Sequence, residues 1–226
     1  MHKLNRACTA PPACLSAYDY QIQNWDDLDA ECKHLLRAAL VQMQGIPGVT
    51  TPESNEYGLR CAYCEGGIYH EGHIEHFRRK NPAHHPELTF AWPNLFLACD
   101  ANTHCGHYKD RNGAQPYNPD HLIKPDEHDP THYLYFHSSG EVRVRSGLNA
   151  DDAHRAAETI RVFGLNDRAL TGARARALAV YRERIVADLD DLATWQPADR
   201  QTYLAGEIND TRYEPYATCI KHFLQK

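Results

Sequence analysis

Cys61-Ala62-Tyr63-Cys64 begins a dense segment that continues through His73-Ile74-Glu75-His76 and ends at His104-Cys105-Gly106-His107. Residues 60–111 contain four of the eight cysteines and seven of the fifteen histidines of the chain. Cysteine and histidine at such a density are typical of metal-binding modules. We therefore expect bound metal, more than apolar burial, to hold this segment together.

The cysteines of this segment form two pairs. Cys61 and Cys64 make a C-x-x-C pair, and Cys99 and Cys105 make a second pair with five residues between them. Two such pairs supply the four thiolates of a tetrahedral structural zinc site. A redox C-x-x-C is disfavoured because no βαβ pattern surrounds the motif. Four other cysteines have no partner spacing, and we interpret them as incidental or core residues: Cys8, Cys14, Cys32 and Cys219.

Composition limits the classes of protein that remain. The chain has 226 residues, of which 42% are hydrophobic and 24% charged, which is ordinary globular usage. A formal net charge of -6 argues against a protein that coats nucleic acid non-specifically. We see neither a membrane span nor a hydrophobic leader, so we expect a cytoplasmic protein without membrane association.

Periodicity predicts an α+β protein with helical arms around the metal module. Helices are predicted over residues 24–44, 151–163, 166–192 and from 197 to the C-terminus. Short strands are predicted at 73–77 and 88–92, and a small β-hairpin at 133–136 and 141–145. We accordingly divide the chain into an N-terminal arm and loop (1–59), a zinc-stabilised core (60–112), and a hairpin with a helical region (113–226) that forms one compact unit with the core.

Between the cysteine pairs lie the parts that phosphodiester hydrolysis requires. His76 can act as general base, because an imidazole exchanges a proton near neutral pH. Glu75 offers a hard oxygen ligand for Mg²⁺ or Mn²⁺, and His107 is a candidate second ligand. Asn94 can orient the His76 ring through its amide. His73 shares a strand face with Glu75, and its role stays open.

The order C-x-x-C, E-H, N-L, C, C, H and K resembles the HNH (ββα-metal) endonuclease motif. The segment from Cys61 to Asp110 is similar, more narrowly, to the nuclease subunit of Septu-type anti-phage defence systems, which is also found in some retrons. Residues 1–15, 122–136 and 158–166 look like that family too. The resemblance implies a β-hairpin and a helix around one catalytic cation, a nucleic-acid substrate and an ABC-type ATPase partner.

Carried over by position, the resemblance makes His76 the general base, Asn94 the orienting asparagine and His107 the closing metal-binding residue. Arg79 stands where the family usually has proline, and Pro93 lies inside the W-x-N-L segment. In the wider pattern the last motif residue directly follows the final cysteine, where this chain has Gly106. His104 and Asn102 therefore remain alternative ligands.

Four basic residues near these motifs are candidate contacts for a nucleic-acid backbone: Arg78, Arg79, Lys80 and Lys109. Residues 60–111 contain six basic and six acidic residues, so the net negative charge of the chain resides elsewhere.

We favour DNA as substrate over RNA, although no base-reading element is visible. The alternative is a non-catalytic zinc module that binds nucleic acid or a protein. A zinc hydrolase for small molecules is disfavoured, because four cysteines leave zinc no open position.

Overall fold

The computed structural model describes residues 1–49, 58–68 and 71–225, and it has mixed α+β architecture. Its central element is the antiparallel hairpin of β1 (His73–His76) and β2 (Leu95–Ala98), in which His73 pairs with Ala98 and His76 with Leu95. The predicted strand at 88–92 is wrong. Short 3-10 helices occupy Pro86–Leu88 and Trp92–Asn94, and β2 begins only after them.

Helix α1 (Ala30–Gln44) packs on β2. Its last residue, Gln44, acts as a strand-like partner: its side-chain oxygen accepts from the Leu97 N–H at 2.7 Å, and its amide donates to the Leu97 carbonyl at 3.1 Å. The predicted helix start at residue 24 is too early. Asn24 caps a separate 3-10 turn, and Asp29 caps α1 itself.

The helix α2 (Cys105–Asp110) follows the β1–β2 hairpin, so a ββα unit is present. After the short α3 (Pro130–Tyr133) comes the predicted second hairpin, which is confirmed as β3 (Leu134–Phe136) paired with β4 (Val142–Val144). Its turn uses Gly140 at φ +87°, where a Cβ would overlap the backbone carbonyl of Thr171.

The C-terminal half is helical, as predicted. It comprises α4 (Ala150–Val162), α5 (Arg168–Leu192), α6 (Pro197–Asp210) and α7 (Ala217–Leu224). The single last helix that we expected is divided in two, because Tyr216 adopts a left-handed conformation at φ +62° before α7. The residue Glu65 links α7 to the first cysteine pair, since its carboxylate accepts from the Thr218 N–H at 3.0 Å.

Two of the cysteines that we interpreted as incidental form a disulfide. Cys14 lies in the 3-10 helix Ala13–Ala17 and bonds to Cys32 in α1. Their separation of eighteen residues matches no disulfide motif, so only the tertiary fold reveals the pair.

No helix in the described parts of the chain is both long enough and apolar enough to span a membrane. His70 lies outside the described residues.

Candidate functional site

The predicted gathering of four cysteines is confirmed. The Sγ atoms of Cys61 and Cys105 are 3.7 Å apart, those of Cys64 and Cys99 are 3.9 Å apart, and all four lie within 4.8 Å of one another. Zinc–sulfur bonds of about 2.3 Å in a tetrahedron separate the sulfurs by about 3.8 Å. The Gly66 N–H also donates to the Cys64 sulfur at 3.3 Å. These four side chains therefore fit one structural zinc ion.

The cysteine cluster determines where the ββα unit can place its other side chains. Cys99 directly follows β2 and Cys105 is the first residue of α2, so a shared ion would connect the hairpin to the helix. Two residues beyond Cys105 in α2, His107 stacks on His73 of β1, with ring centroids 4.0 Å apart and ring planes 18° from parallel. The zinc-type cluster thereby brings residues from both ends of the module together.

A cavity of about 510 Å³ opens beside β1 and α2. It is lined by five of the eight residues that the sequence predicted for catalysis and backbone contact, together with polar residues of the following loop. Its lining consists of His73, Ile74, Glu75, His76, Arg79, Lys80, Asn81, Gly106, His107, Asp110, Arg111, Asn112, Gly113 and Ala114. Histidines, carboxylates and cations therefore share one concave site.

His76 lies in the wall of this cavity and is buried. Its Nε2 is 2.9 Å from the Thr89 carbonyl oxygen, and an imidazole next to a carbonyl must donate from that nitrogen. Nδ1 is then the nitrogen with a free lone pair. Burial, with the Lys80 charge in the same direction, lowers the pKa of His76 to about 4, so the ring is a neutral proton acceptor at pH 7. The Trp25 and His76 rings pack in a T-shaped arrangement, with centroids 4.4 Å apart.

Glu75 is held by a buried cation. The Lys109 Nζ lies 2.9 Å from Glu75 Oε1, and the His73 Nε2 lies 3.0 Å from Glu75 Oε2. Burial opposes ionisation of Glu75, but Lys109 and His73 outweigh it and bring its pKa to about 2. Direct phosphate binding by Lys109 is contradicted by its position, because its side chain is 0% exposed and also contacts Asp110. Instead, Lys109 neutralises the Glu75 carboxylate.

We expected the Asn94 amide to orient the His76 ring. Its hydrogen bonds go to backbone groups instead. Its Oδ1 accepts from the Arg78 N–H at 2.7 Å, and its Nδ2 donates to the carbonyls of Arg78 and Leu88 at 3.0 and 3.2 Å. These bonds fix the chain just after His76 and just before Thr89, whose carbonyl holds the imidazole. Asn94 is thus a positioning residue that works through the loop.

The predicted backbone contacts Arg78 and Arg79 are engaged with acidic partners at the rim. Arg78 pairs with Asp120 at 2.5 Å, and Arg79 pairs with Asp110 at 2.8 Å. Both arginines retain partial exposure, and Lys80 lies with its Nζ 5.9 Å from the Trp25 ring centroid. Arg79 and Lys80 line the cavity. Because these two ion pairs lie near the surface, each arginine can release its carboxylate partner and bind a phosphate instead.

Asp100 is the site residue that the sequence analysis missed. It directly follows Cys99, and its Oδ1 lies 3.0 Å from His73 Nδ1 and 3.8 Å from His107 Nε2. Proximity to a zinc-type cysteine was the signal available in the sequence. His104 and Asn102 were the alternatives to His107 as a ligand of the catalytic cation. His104 lies against the sulfurs of the cysteine cluster, and Asn102 is exposed. His107 lines the cavity.

Gly106, the second residue of α2, lies directly against the Glu75 side chain. A Cβ at this position would overlap the Glu75 carboxylate. Only glycine therefore allows α2 to approach β1 this closely while residue 75 is glutamate. The next residue of the helix, His107, is the one that faces the cavity.

No family model matches the chain. It is 28% identical over 161 residues to the Septu protein PtuB of Bacillus mycoides (strain KBAB4). The match covers 60% of this chain and 52% of that protein, so the chain spans about half the length of the curated relative it matches.

Proposed function

We propose that this protein is a metal-dependent endonuclease of the HNH type. The observation that carries the proposal is one cavity lined both by the neutral imidazole of His76 and by the stacked pair His73 and His107, on a ββα unit that also gathers four cysteines. A histidine base beside histidine and carboxylate ligands is the arrangement that metal-assisted phosphodiester hydrolysis requires. DNA is the favoured substrate.

Each residue has a role in this proposal. His76 takes the proton of the attacking water at Nδ1, and the Thr89 carbonyl keeps Nε2 protonated. Asn94 holds the loop that carries both groups. Arg79 and Lys80 at the cavity hold the phosphate backbone, with Arg78 at its rim. A bound Mg²⁺ or Mn²⁺ supplies neutralisation of charge on the phosphoryl and leaving oxygens.

The assignment of catalytic ligands needs one adjustment. We predicted Glu75 and His107 as ligands of the catalytic cation. His107 lines the cavity and is about half exposed, which suits a ligand, whereas the charge of Glu75 is already balanced by Lys109. We therefore keep His107 as a ligand and give Glu75 the task of orienting His73.

The proposed division of the chain follows from these roles. Residues 60–112 form the nuclease core, residues 1–59 an N-terminal arm, and residues 113–226 a hairpin and helical region. Trp25 of the arm packs against the His76 ring. Thr218 of α7 donates to the carboxylate of Glu65, which directly follows Cys64 of the cluster. We infer that the three regions work as one unit.

The cellular setting is proposed from similarity. The relative of this chain is a Septu protein, and the sequence resembles the nuclease subunit of such anti-phage systems. We propose that the protein acts in the cytoplasm as an effector beside an ABC-type ATPase, and that the partner controls cleavage. Its acidic net charge supports weak cleavage by the chain alone.

The test is cleavage of plasmid DNA and total RNA by the purified chain, with and without the ATPase encoded next to it. Reactions contain Mg²⁺, Mn²⁺ or EDTA, and His76→Ala is compared with His132→Ala, which alters an exposed histidine that does not line the cavity. We expect cleavage that requires the metal and His76 but not His132; loss of the base should cost about 100-fold or more. Binding of DNA without any cleavage would instead indicate the non-catalytic zinc module.

A further inference from the structure

The histidine pair of the cavity forms a second cluster of potential metal ligands with Asp100. One ligand atom from each of His73, Asp100 and His107 lies within 4.8 Å of the other two. The three residues come from the start of β1, the turn after β2 and the helix α2. They are close in space only because the ββα unit has folded, so the cluster belongs to this fold and not to a local motif.

The chemistry of the cluster suits a divalent transition metal. Two imidazoles and one carboxylate form a borderline ligand set that favours Mn²⁺, Fe²⁺ or Zn²⁺ over Mg²⁺, which prefers oxygen ligands only. Neighbouring ligands on an octahedral ion with bonds of about 2.1 Å are about 3.0 Å apart. Asp100 Oδ1 already lies 3.0 Å from His73 Nδ1 and 3.8 Å from His107 Nε2, and all three ligand atoms lie within 4.8 Å of one another, so the cluster must contract around an ion.

The contacts around the three side chains already orient them. The Gly72 N–H donates to Asp100 Oδ2 at 3.0 Å, which leaves Oδ1 directed at the histidines. Glu75 Oε2 lies 3.0 Å from His73 Nε2, so that nitrogen can donate to the carboxylate while Nδ1 offers its lone pair to an ion. A carboxylate behind a ligating histidine fixes the ring tautomer and raises ligand basicity.

Access also favours this cluster over Glu75. The side chains of Asp100, His107 and His73 are 55%, 44% and 24% exposed, so an ion can enter from solvent. Glu75 is 7% exposed, and its Oε1 faces the Lys109 ammonium, which would repel a second cation. A metal on Glu75 would have to displace a buried ion pair.

We propose that His73, Asp100 and His107 are the protein ligands of the divalent ion in this cavity, and that the ion is of the Mn²⁺ class. The ligand assignment concerns the chain alone, and only the use of the ion in phosphodiester cleavage rests on the proposed function. Three ligands on one side leave the other side of the ion open to substrate.

The test is a Mn²⁺ titration of the full-length, zinc-loaded chain without nucleic acid, with free Mn²⁺ measured by electron paramagnetic resonance. Asp100→Asn and His107→Gln should each weaken binding by roughly 10-fold or more. Asp151→Asn, an exposed carboxylate at the start of α4, is the matched control and should leave binding unchanged. Zinc content and thermal melting, measured for every variant, exclude general unfolding as the cause.

A second measurement identifies the ligands directly. Electron spin-echo modulation of bound Mn²⁺ should show nitrogen from two imidazoles, and one of them should disappear in His107→Gln. Unchanged affinity in Asp100→Asn, or a larger loss in Glu75→Gln than in Asp100→Asn, would overturn the assignment. A chain that binds Mn²⁺ through the three residues but cuts neither DNA nor RNA would uphold the assignment and contradict the nuclease proposal.

Discussion

The Lys109 ammonium lies 2.9 Å from the Glu75 carboxylate, and it also donates to the His76 carbonyl oxygen at 3.0 Å. One buried cation thus fastens α2 to the strand that bears the proposed base. Burial disfavours the charged form of Lys109, yet Glu75 and Asp110 raise its pKa above the usual lysine value.

Lys109→Met should destabilise the protein by about 3–5 kcal/mol, because it leaves the Glu75 carboxylate buried without its cation. The double variant Lys109→Met with Glu75→Gln should recover part of this loss, since neither residue then carries a charge. Urea denaturation followed by circular dichroism measures both effects. Lys80→Met removes a lysine that lines the cavity without breaking a buried ion pair and is the control. Equal stability of Lys109→Met and Lys80→Met would refute the structural role of Lys109.

Cys105→Ser should lose zinc and unfold the ββα unit, because a structural zinc ion contributes directly to folding free energy. The matched control is Cys8→Ser, since Cys8 is exposed and lies outside the cluster. Zinc content by mass spectrometry and the rate of tryptic cleavage provide the readouts. Chelation of zinc from the parent chain should reproduce the defect of Cys105→Ser. A Cys105→Ser chain with normal zinc content would contradict the assignment of the four sulfurs.

His222 should make the protein less stable in mild acid. The Phe136 N–H donates to His222 Nδ1 at 3.0 Å, and burial, with the Arg145 and Lys221 charges, lowers the pKa of His222 from 6.5 to about 4. Between these pH values the unfolded chain binds a proton that the folded chain does not, so stability falls as pH falls.

Between pH 7 and pH 4, this histidine should lower the free energy of unfolding by about 3 kcal/mol. His222→Gln should flatten the dependence of unfolding free energy on pH by that amount, because glutamine does not titrate. Urea denaturation at pH 7, 6, 5 and 4 measures the slope for both chains. Identical slopes would show that His222 is not the group responsible.

Cys14→Ser should lower the stability of the oxidised protein by about 3 kcal/mol, since the disulfide closes a loop of eighteen residues in the unfolded chain. This loop includes Trp25, whose ring edge packs on His76. In the reducing agent TCEP the parent and variant should melt alike, which serves as the internal control. A difference that persists after reduction would show that residue 14 acts through packing.

The sequence predicted those features that depend on local spacing. The gathering of Cys61, Cys64, Cys99 and Cys105 followed from two pairs, and the second hairpin followed from extended runs around Gly140. The strand at 88–92 was wrong although Leu88, Phe90 and Trp92 alternate as in a strand. The Thr89 hydroxyl bonds back to the Pro86 carbonyl, and Pro93 lies in the 3-10 helix that begins at Trp92. Helix-type turns satisfy that backbone instead.

Features that depend on contacts between residues far apart in the chain could not be predicted from the sequence. Asp100 has no spacing signature, and its role emerges only when β1 and α2 bring two histidines to it. Burial of Lys109 likewise needs the Glu75 carboxylate, which is thirty-four positions earlier in the chain. A basic residue near a predicted nuclease motif appears in sequence as a phosphate contact, whereas the fold uses it as an internal counterion.

The contact between Gly106 and Glu75 ties the evolutionary options of two positions together. A side chain at 106 is excluded for as long as residue 75 extends a full glutamate into that space. Mutation of position 106 alone toward the common motif residue would pass through a clashing intermediate, whereas shortening residue 75 to aspartate first would open the route. Residue 106 should therefore remain glycine for as long as residue 75 is glutamate.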